Sequence, residues 1–129
     1  MLKEIIKNAY APYSNYRVAA EVVTNDGKSF YGVNVENASY GGTICAERNA
    51  INSAISAGYK KGDFKSLTVM VDGDKTAFPC FICRQTIVEF FDMNDDLILI
   101  AGDNVLNYKM SDIIVNRFSK EDLIWNQDL

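Results

Sequence analysis

The sequence predicts a layered α/β domain in which helices alternate with the strands of one sheet. Two short, largely apolar runs at 66–71 and 96–101 are typical of strands buried within a sheet. Each run follows a segment whose apolar residues have helical spacing. The letters NDG at 25–27, after a segment rich in β-branched residues, indicate a hairpin. Helices between buried strands favour a sheet with helices packed on it, and here the hairpin lies at one side.

In chain order, we expect a helix over 2–10, strands over 16–24 and 28–37, a helix over 44–57, a strand over 66–71, a helix over 80–91 and a strand over 96–101. Pro12 ends the first helix, and Gly58 has the C-cap role after the second. Gly41 and Gly42 mark the turn that precedes the second helix. The last part of the chain is expected to hold a short strand near 107–110 and then helical turns.

Length and composition indicate one globular domain with no nucleic acid among its partners. The chain has 129 residues, 48% of them hydrophobic and 23% charged, which is ordinary for a soluble protein and predicts a single domain over 1–129. Its net charge is −4, and no basic run is longer than Lys60 and Lys61. A polynucleotide would need a phosphate-neutralising surface, and nothing in the sequence supplies one.

The sequence also indicates a cytoplasmic protein without membrane contact. No apolar run approaches the ~18 residues needed to cross a membrane. The first residues, MLKEIIKNAYAPY, carry charges inside their apolar pattern, so we expect no signal peptide. Thiols stay reduced in the cytoplasm, and three cysteines are an odd number that fits poorly with intrachain disulfides.

The pair Cys80 and Cys83 is the first candidate for chemistry. The two residues are three positions apart near the start of a predicted helix, so both sulfur atoms can lie on one face. Taken alone, this C-x-x-C spacing has three explanations, which are a redox dithiol, a structural zinc site and two buried apolar cysteines. The spacing does not choose among them.

Cys45 favours a metal site, because it also lies near a predicted helix start, after a glycine turn. Three thiolates supply three zinc ligands, whereas structural zinc sites usually have four protein ligands. The chain has no histidine and no fourth cysteine. A carboxylate could be the fourth ligand, but an open position is the better interpretation, and an open position is typical of a catalytic zinc.

Glu47 and Arg48 follow Cys45 in the first turn of that helix. Positions i and i+2 point to nearly opposite sides of a helix, so Cys45 and Glu47 can flank one metal only if it lies off the helix end. The positive end of the helix dipole would then face the thiolates. Arg48 could withdraw charge from the sulfurs through hydrogen bonds, and Arg84, beside Cys83, could do the same. The simpler explanations are a glutamate favoured by the helix dipole and two solvent-facing arginines.

The stretch NVENASYGGTICAERNAI together with PCFICRQ closely resembles the small, homotetrameric cytidine deaminase family, which carries C-A-E and P-C-x-x-C as paired metal motifs. The similarity runs from YAPYSNYRV near the start to FSKEDL near the end, in the family's order. The family implies a three-layer α/β/α fold with a mixed central sheet and one zinc ion per chain. It also implies hydrolytic deamination of cytidine and 2′-deoxycytidine to the uridines, a step of pyrimidine salvage.

The resemblance implies a role for each matching residue. Cys45, Cys80 and Cys83 match the zinc ligands. Glu47 matches the residue that carries a proton from water to N3 of cytosine and helps protonate the departing ammonia. Asn34 and Glu36 match the pair that binds the ribose 3′-hydroxyl. Tyr16 lies against the base, in a position where the family usually has phenylalanine, and the backbone of Ala46 matches one that meets the pyrimidine. Tyr40 matches a residue at subunit contacts, and Phe118 matches one that reaches a neighbouring subunit's pocket.

We therefore expect a homotetramer with shared active sites. The apolar and aromatic tail IIVNRFSKEDLIW, which includes Trp125, would be hard for a small domain to cover alone. Phe81 and Ile82 are bulkier than the residues that the family usually has between the two cysteines, so we expect them to alter packing beside the metal.

Two other functions remain open at this point. One is a zinc aminohydrolase for another nucleoside, which a panel of substrates would distinguish. The other is a zinc-binding protein without catalysis, against which Glu47 argues. Nucleotides are less expected than nucleosides as substrates, because no glycine-rich or basic phosphate cradle is visible.

Overall fold

The segments on either side of the NDG turn form one edge of the sheet, as the sequence predicts. In the computed structural model, which describes residues 1–124, strand β1 (Val18–Thr24) pairs antiparallel with strand β2 (Ser29–Val33). Gly27 in the turn has a φ of 89°, a left-handed conformation that glycine adopts without steric cost.

The return strand ends at Val33 and not at the predicted residue 37. Val35 pairs through isolated bridges with Tyr10 and Ile44. The backbone beyond Val33 therefore leaves its ladder with β1 and runs between the N-terminal segment and the residues that precede the second helix.

The central strand β3 (Phe64–Val71) joins the hairpin to the other half of the sheet. It pairs antiparallel with β1 and parallel with β4 (Asp96–Ala101), and β5 (Asn104–Lys109) adds an antiparallel edge, so the strand order is β2-β1-β3-β4-β5. A parallel pair needs a crossover connection, and helix α3 (Phe81–Phe90) lies in that crossover. β5 begins earlier than the predicted 107–110. The sequence did not indicate its true start, because its side chains are mostly exposed and show no apolar alternation.

A short N-terminal helix covers one face of the sheet. Helix α1 (Leu2–Ile5) continues as a 3-10 turn through Asn8, so it is shorter than the predicted helix over 2–10. It ends early because Tyr10 enters a bridge with Val35, which requires extended backbone. The buried residues of this smaller core are Leu2, Ile6 and Ala19.

The larger core lies on the opposite face, under helix α2 (Ala46–Ser56) and α3. Its members include Val22, Ile51, Phe64, Leu67, Ile87, Phe91, Leu97 and Leu99. Helix α2 packs so closely on β2 that a Cβ atom at Gly32 would lie 2.4 Å from the backbone nitrogen of Ala50. Glycine is therefore needed there to let the helix approach. Helices on both faces of a mixed sheet confirm the predicted α/β/α fold.

After β5 the chain forms helix α4 (Met110–Ile113) and a 3-10 turn (Lys120–Ile124). Trp125 of the predicted apolar tail lies outside the described residues. Within residues 1–124, no helix has the length and apolar character needed to cross a membrane.

Candidate active site

Two helix N-termini converge on the three cysteines. Cys45 is the N-cap residue of α2 and Cys80 is the N-cap residue of α3, with Cys83 in the first turn of α3. Cys80 Sγ accepts a hydrogen bond from the backbone N–H of Cys83 at 3.5 Å. Both N-cap residues have extended backbone, so each cysteine stands just before its helix and not along the helix side. This is the arrangement that one metal between Cys45 and Glu47 requires.

The sulfur atoms fit a single metal ion. The three Sγ atoms all lie within 4.8 Å of one another, and Cys45 Sγ is 3.7 Å from Cys80 Sγ. Thiolates at ~2.3 Å from a tetrahedral zinc lie ~3.8 Å apart. None of the three cysteines is in a disulfide. Because thiolates are soft ligands that suit zinc, both the donor set and its spacing fit the predicted ion.

Arg48 supplies positive charge beside the sulfurs. Its Nη2 donates to Cys45 Sγ at 3.7 Å and to the Thr43 carbonyl at 3.2 Å. The pKa of Cys45 is lowered to about 5, first by the hydrogen bond from Cys83 and then by Arg48. The same bond between the two thiols raises the pKa of Cys83. The cluster therefore forms a thiolate readily, and the thiolate is the form that binds a metal.

Glu47 is a buried carboxyl group in the same cleft. Only 6% of its surface is exposed, and it lines the cleft together with Cys45 and Cys80. Burial raises the pKa of this carboxyl above that of an ordinary glutamate. A carboxyl group whose pKa is raised toward neutrality is suited to accept a proton and release it again.

The side chain of Asn34 holds the backbone that carries Tyr16. Its Oδ1 accepts a hydrogen bond from the Val18 backbone N–H at 2.9 Å, and its Nδ2 donates to the Tyr16 carbonyl at 2.8 Å. Asn34 is itself buried. These two bonds fix the point at which the Tyr16 ring enters the cleft.

Glu36 holds the turn just before Tyr16. Its Oε1 accepts from the backbone N–H groups of Tyr13 at 2.9 Å and Ser14 at 3.2 Å, and its Oε2 accepts from the Ser14 hydroxyl. The Ser14 hydroxyl oxygen in turn accepts from the Tyr16 backbone N–H at 3.0 Å. The bond from the Ser14 hydroxyl, more than the others, lowers the pKa of Glu36, so this residue stays an ionised acceptor.

The structure brings most of the predicted site residues to one cleft of about 210 Å³. The predicted residues that line it are Tyr16, Asn34, Glu36, Cys45, Ala46, Glu47 and Cys80. Cys83 is fully buried, with its sulfur in the cluster. Tyr40 is 77% exposed and packs edge-on against Tyr13. Phe118 lines a separate cavity beside α3, where its carbonyl accepts from Gln85 Nε2 at 2.8 Å.

Arg84 contacts backbone carbonyls and not the sulfurs. Its Nε donates to the Pro79 carbonyl at 2.8 Å and its Nη1 to the Ile113 carbonyl at 3.0 Å, while its guanidinium lies 5.1 Å from the centre of the Phe81 ring. Phe81 and Ile82 are 83% and 62% exposed, and neither lines the cleft. The expectation that these two bulky residues alter packing beside the metal is therefore wrong for the chain described here.

Several cleft residues were missed by sequence reasoning. They are Ser14, Val18, Thr43, Val69, Val71, Ala77 and Phe78. Phe78 directly precedes Pro79 and Cys80, and this position beside a metal motif is the one signal that could have indicated it. The valines belong to buried strands, whose apolar pattern does not show which residues face a cleft.

Comparisons with known proteins agree with the site. Residues 1–96 match the family described as the cytidine and deoxycytidylate deaminase zinc-binding region. A cytidine deaminase from Mycoplasma genitalium is 38% identical over 120 residues, which is 92% of this chain and 91% of that protein. A probable cytidine deaminase from Dictyostelium discoideum is 44% identical over 118 residues, which is 90% of this chain and 78% of that protein. The crystal structure of cytidine deaminase from Burkholderia pseudomallei superposes with a TM-score of 0.86 at 42% identity, covering 91% of this chain and 93% of that one.

Proposed function

Because the chain belongs to the family with the cytidine and deoxycytidylate deaminase zinc-binding region, we propose that it hydrolyses cytidine and 2′-deoxycytidine to the uridines and ammonia, as a hydrolase of pyrimidine salvage. The observation that carries this proposal is a buried glutamate that lines one cleft together with Cys45 and Cys80, two members of the cluster of three thiols. The relatives named cytidine deaminase cover about nine-tenths of the chain, which supports the same activity.

We assign one zinc ion per chain to Cys45, Cys80 and Cys83, whose spacing fits it. Zinc bound there supplies a Lewis acid that lowers the pKa of water. The cysteines stay reduced in the cytoplasm, where we expect the protein to work. Arg48 offsets the negative charge of the thiolates through its bond to Cys45 Sγ.

Glu47 is the residue that moves the proton. It takes a proton from the attacking water, passes it to N3 of cytosine, and then helps protonate the departing amine. Its burial in the cleft that Cys45 and Cys80 also line supports this role, because a base bound next to these cysteines would also lie next to the carboxyl group. Positioned proton transfer of this kind is typically worth ~10²- to 10⁴-fold in rate.

The rest of the cleft orients the nucleoside. Tyr16 lies against the base, the backbone of Ala46 meets the pyrimidine, and Asn34 and Glu36 bind the ribose 3′-hydroxyl. All four line the cleft, which supports these roles. The side chains of Asn34 and Glu36 already form hydrogen bonds with the 13–18 segment. Their positions are therefore fixed before the ligand binds.

The enzyme is proposed to be a homotetramer of single-domain chains with shared active sites. Phe118 is 55% exposed and does not line its own chain's cleft, which leaves it available to a neighbouring subunit. Tyr40 has an exposed ring and lines a second pocket together with Glu36, which also lines the cleft, and this exposure suits a subunit contact.

An absorbance assay on cytidine tests the proposed activity. We expect the purified protein to convert cytidine and 2′-deoxycytidine to the uridines, to lose this activity when a chelator removes the metal, and to regain it when zinc is added. Ammonia release, measured separately, confirms hydrolysis. A zinc-loaded protein that converts neither nucleoside would contradict the proposal, and conversion of other nucleosides alone would identify a different substrate.

Loss of either sugar-binding side chain should depend on the ligand. In Asn34→Ala and Glu36→Ala, the binding of uridine should weaken at least ~10-fold more than the binding of 3′-deoxyuridine, because a site built to bond a hydroxyl discriminates against its absence. Calorimetry gives both dissociation constants. Both variants also release the segment that holds Tyr16, which would weaken both ligands. The ratio of the two dissociation constants is therefore the quantity that tests the sugar contact. Asn107→Ala, an exposed change on β5, is the control, and equal losses for the two ligands would remove these residues from the sugar site.

A further inference from the structure

Phe78 has an aromatic side chain in the cleft, and the proposed function above gives it no role. It lines the cleft together with Tyr16 and Cys80, and 46% of its surface is exposed. A large apolar ring left half open at the wall of a ligand cleft offers a surface for contact with the ligand. The two aromatic residues of the described cleft are thus Tyr16 and Phe78, which come from different parts of the chain.

The protein holds the Phe78 ring in place from behind. The ring packs against Tyr108 of β5, with 5.3 Å between the ring centres. Pro79 is fully buried, and its carbonyl accepts the hydrogen bond from Arg84 Nε at 2.8 Å. A residue before proline is also restricted to extended conformations. A ring fixed in this way loses little freedom when a ligand packs on it.

The position of Phe78 in the chain determines which part of the ligand it can reach. It stands two residues before Cys80, and two residues of extended chain span at most ~7 Å. The backbone of Phe78 therefore lies close to the sulfur end of the cleft, and its side chain lines the cleft from there. In the proposed reaction this end holds the base, whereas Asn34 and Glu36 hold the sugar.

We propose that Phe78 is a specificity-determining residue that packs its ring on the pyrimidine base and, with Tyr16, selects nucleosides whose base is planar. The inference rests on the proposed nucleoside deamination and adds a contact to it. Aromatic rings interact favourably with the face of a nucleobase, and this contact is lost when the base is not aromatic. Phe78 is thus expected to determine how tightly the base is held, and not how the proton moves.

Binding of two ligands that differ in the base tests the proposal. In Phe78→Ala, the dissociation constant for uridine should rise by roughly 10-fold, within the range of one base–aromatic contact. The constant for 5,6-dihydrouridine, whose base lacks the planar π system, should rise by less than about 3-fold. The KM for cytidine should rise with little change in kcat, and Phe78→Tyr, which keeps the ring, should restore both constants. General damage to the cleft would weaken both ligands equally.

Phe81→Ala is the matched control, because it removes an aromatic ring beside the same cysteine but outside the cleft. It should leave the uridine constant within about 2-fold, since it breaks no contact with the base. If the parent protein binds uridine and deaminates cytidine, but Phe78→Ala leaves both ligand constants unchanged or raises them equally, the inference about Phe78 is overturned while the proposed function stands. A zinc-loaded parent protein that neither binds uridine nor deaminates cytidine would overturn the proposed function and this inference with it.

Discussion

Replacing Glu47 with glutamine is expected to lower kcat for cytidine by about 10²- to 10⁴-fold, while zinc content and fold stay unchanged. Glutamine has nearly the same shape as glutamate, but its amide cannot take a proton from water and pass it on. Because Glu47 is only 6% exposed, the isosteric change keeps the packing at the start of α2. Steady-state kinetics with elemental analysis and circular dichroism on the same sample measure the three quantities.

The neutral glutamine in Glu47→Gln also allows a loss of activity to be distinguished from a loss of stability. Burial disfavours the charged form of Glu47, as its raised pKa shows. Removing that charge is therefore not expected to lower the unfolding temperature. Glu89→Gln makes the same change on the exposed surface of α3 and should leave kcat unaltered. A loss of less than ~10-fold in Glu47→Gln would mean that another group carries the proton, since acid–base residues are usually worth more.

The metal site was predictable because each ligand lies at a helix start that the sequence marks locally. A glycine pair precedes Cys45, and a proline precedes Cys80. Both cysteines are N-cap residues in the structure, so the helix ends direct their sulfurs into one place. Glu47 follows from the same local geometry, because it stands in the first turn of α2.

The contacts that shape the rest of the cleft had no local signal. Asn34 directly follows the end of β2. Its side chain bonds the backbone of Tyr16 and Val18, which lie far from it in sequence. Whether an asparagine after a strand faces solvent or clamps a distant segment depends on tertiary structure. The clamp therefore adds to the expected sugar-binding role and could not be derived from spacing.

In the fold too, the sequence predicts elements that have a local apolar pattern and does not predict those that depend on tertiary contacts. Strand 96–101 was predicted with its observed bounds, because a strand covered on both faces gives a continuous apolar run. The edge strand β5 was predicted too short, because its side chains are mostly exposed and carry no alternation. Arg84 stands beside a ligand in sequence but bonds carbonyls of the Pro79 loop and α4, which only the packing of these elements determines.

Changing two of the zinc ligands together, in Cys45→Ser with Cys80→Ser, is expected to remove the metal and at least ~10³-fold of the activity, since a Lewis acid at this position is worth several kcal/mol. The single remaining thiol, Cys83, is one ligand where a stable site needs three or four. Elemental analysis of the parent protein should give one zinc per chain, and the double variant should contain none.

Serine is the informative replacement because both positions are N-caps. Cys80 Sγ already accepts the backbone N–H of Cys83, and a serine hydroxyl makes the same kind of bond well, so the start of α3 should survive the change. Loss of zinc can then be separated from loss of the helix. All three cysteines belong to the cluster, so the control is the parent protein treated with a chelator. It should match the double variant in circular dichroism and activity, and added zinc should restore the parent alone. Full zinc occupancy in the double variant would place the metal elsewhere in the chain.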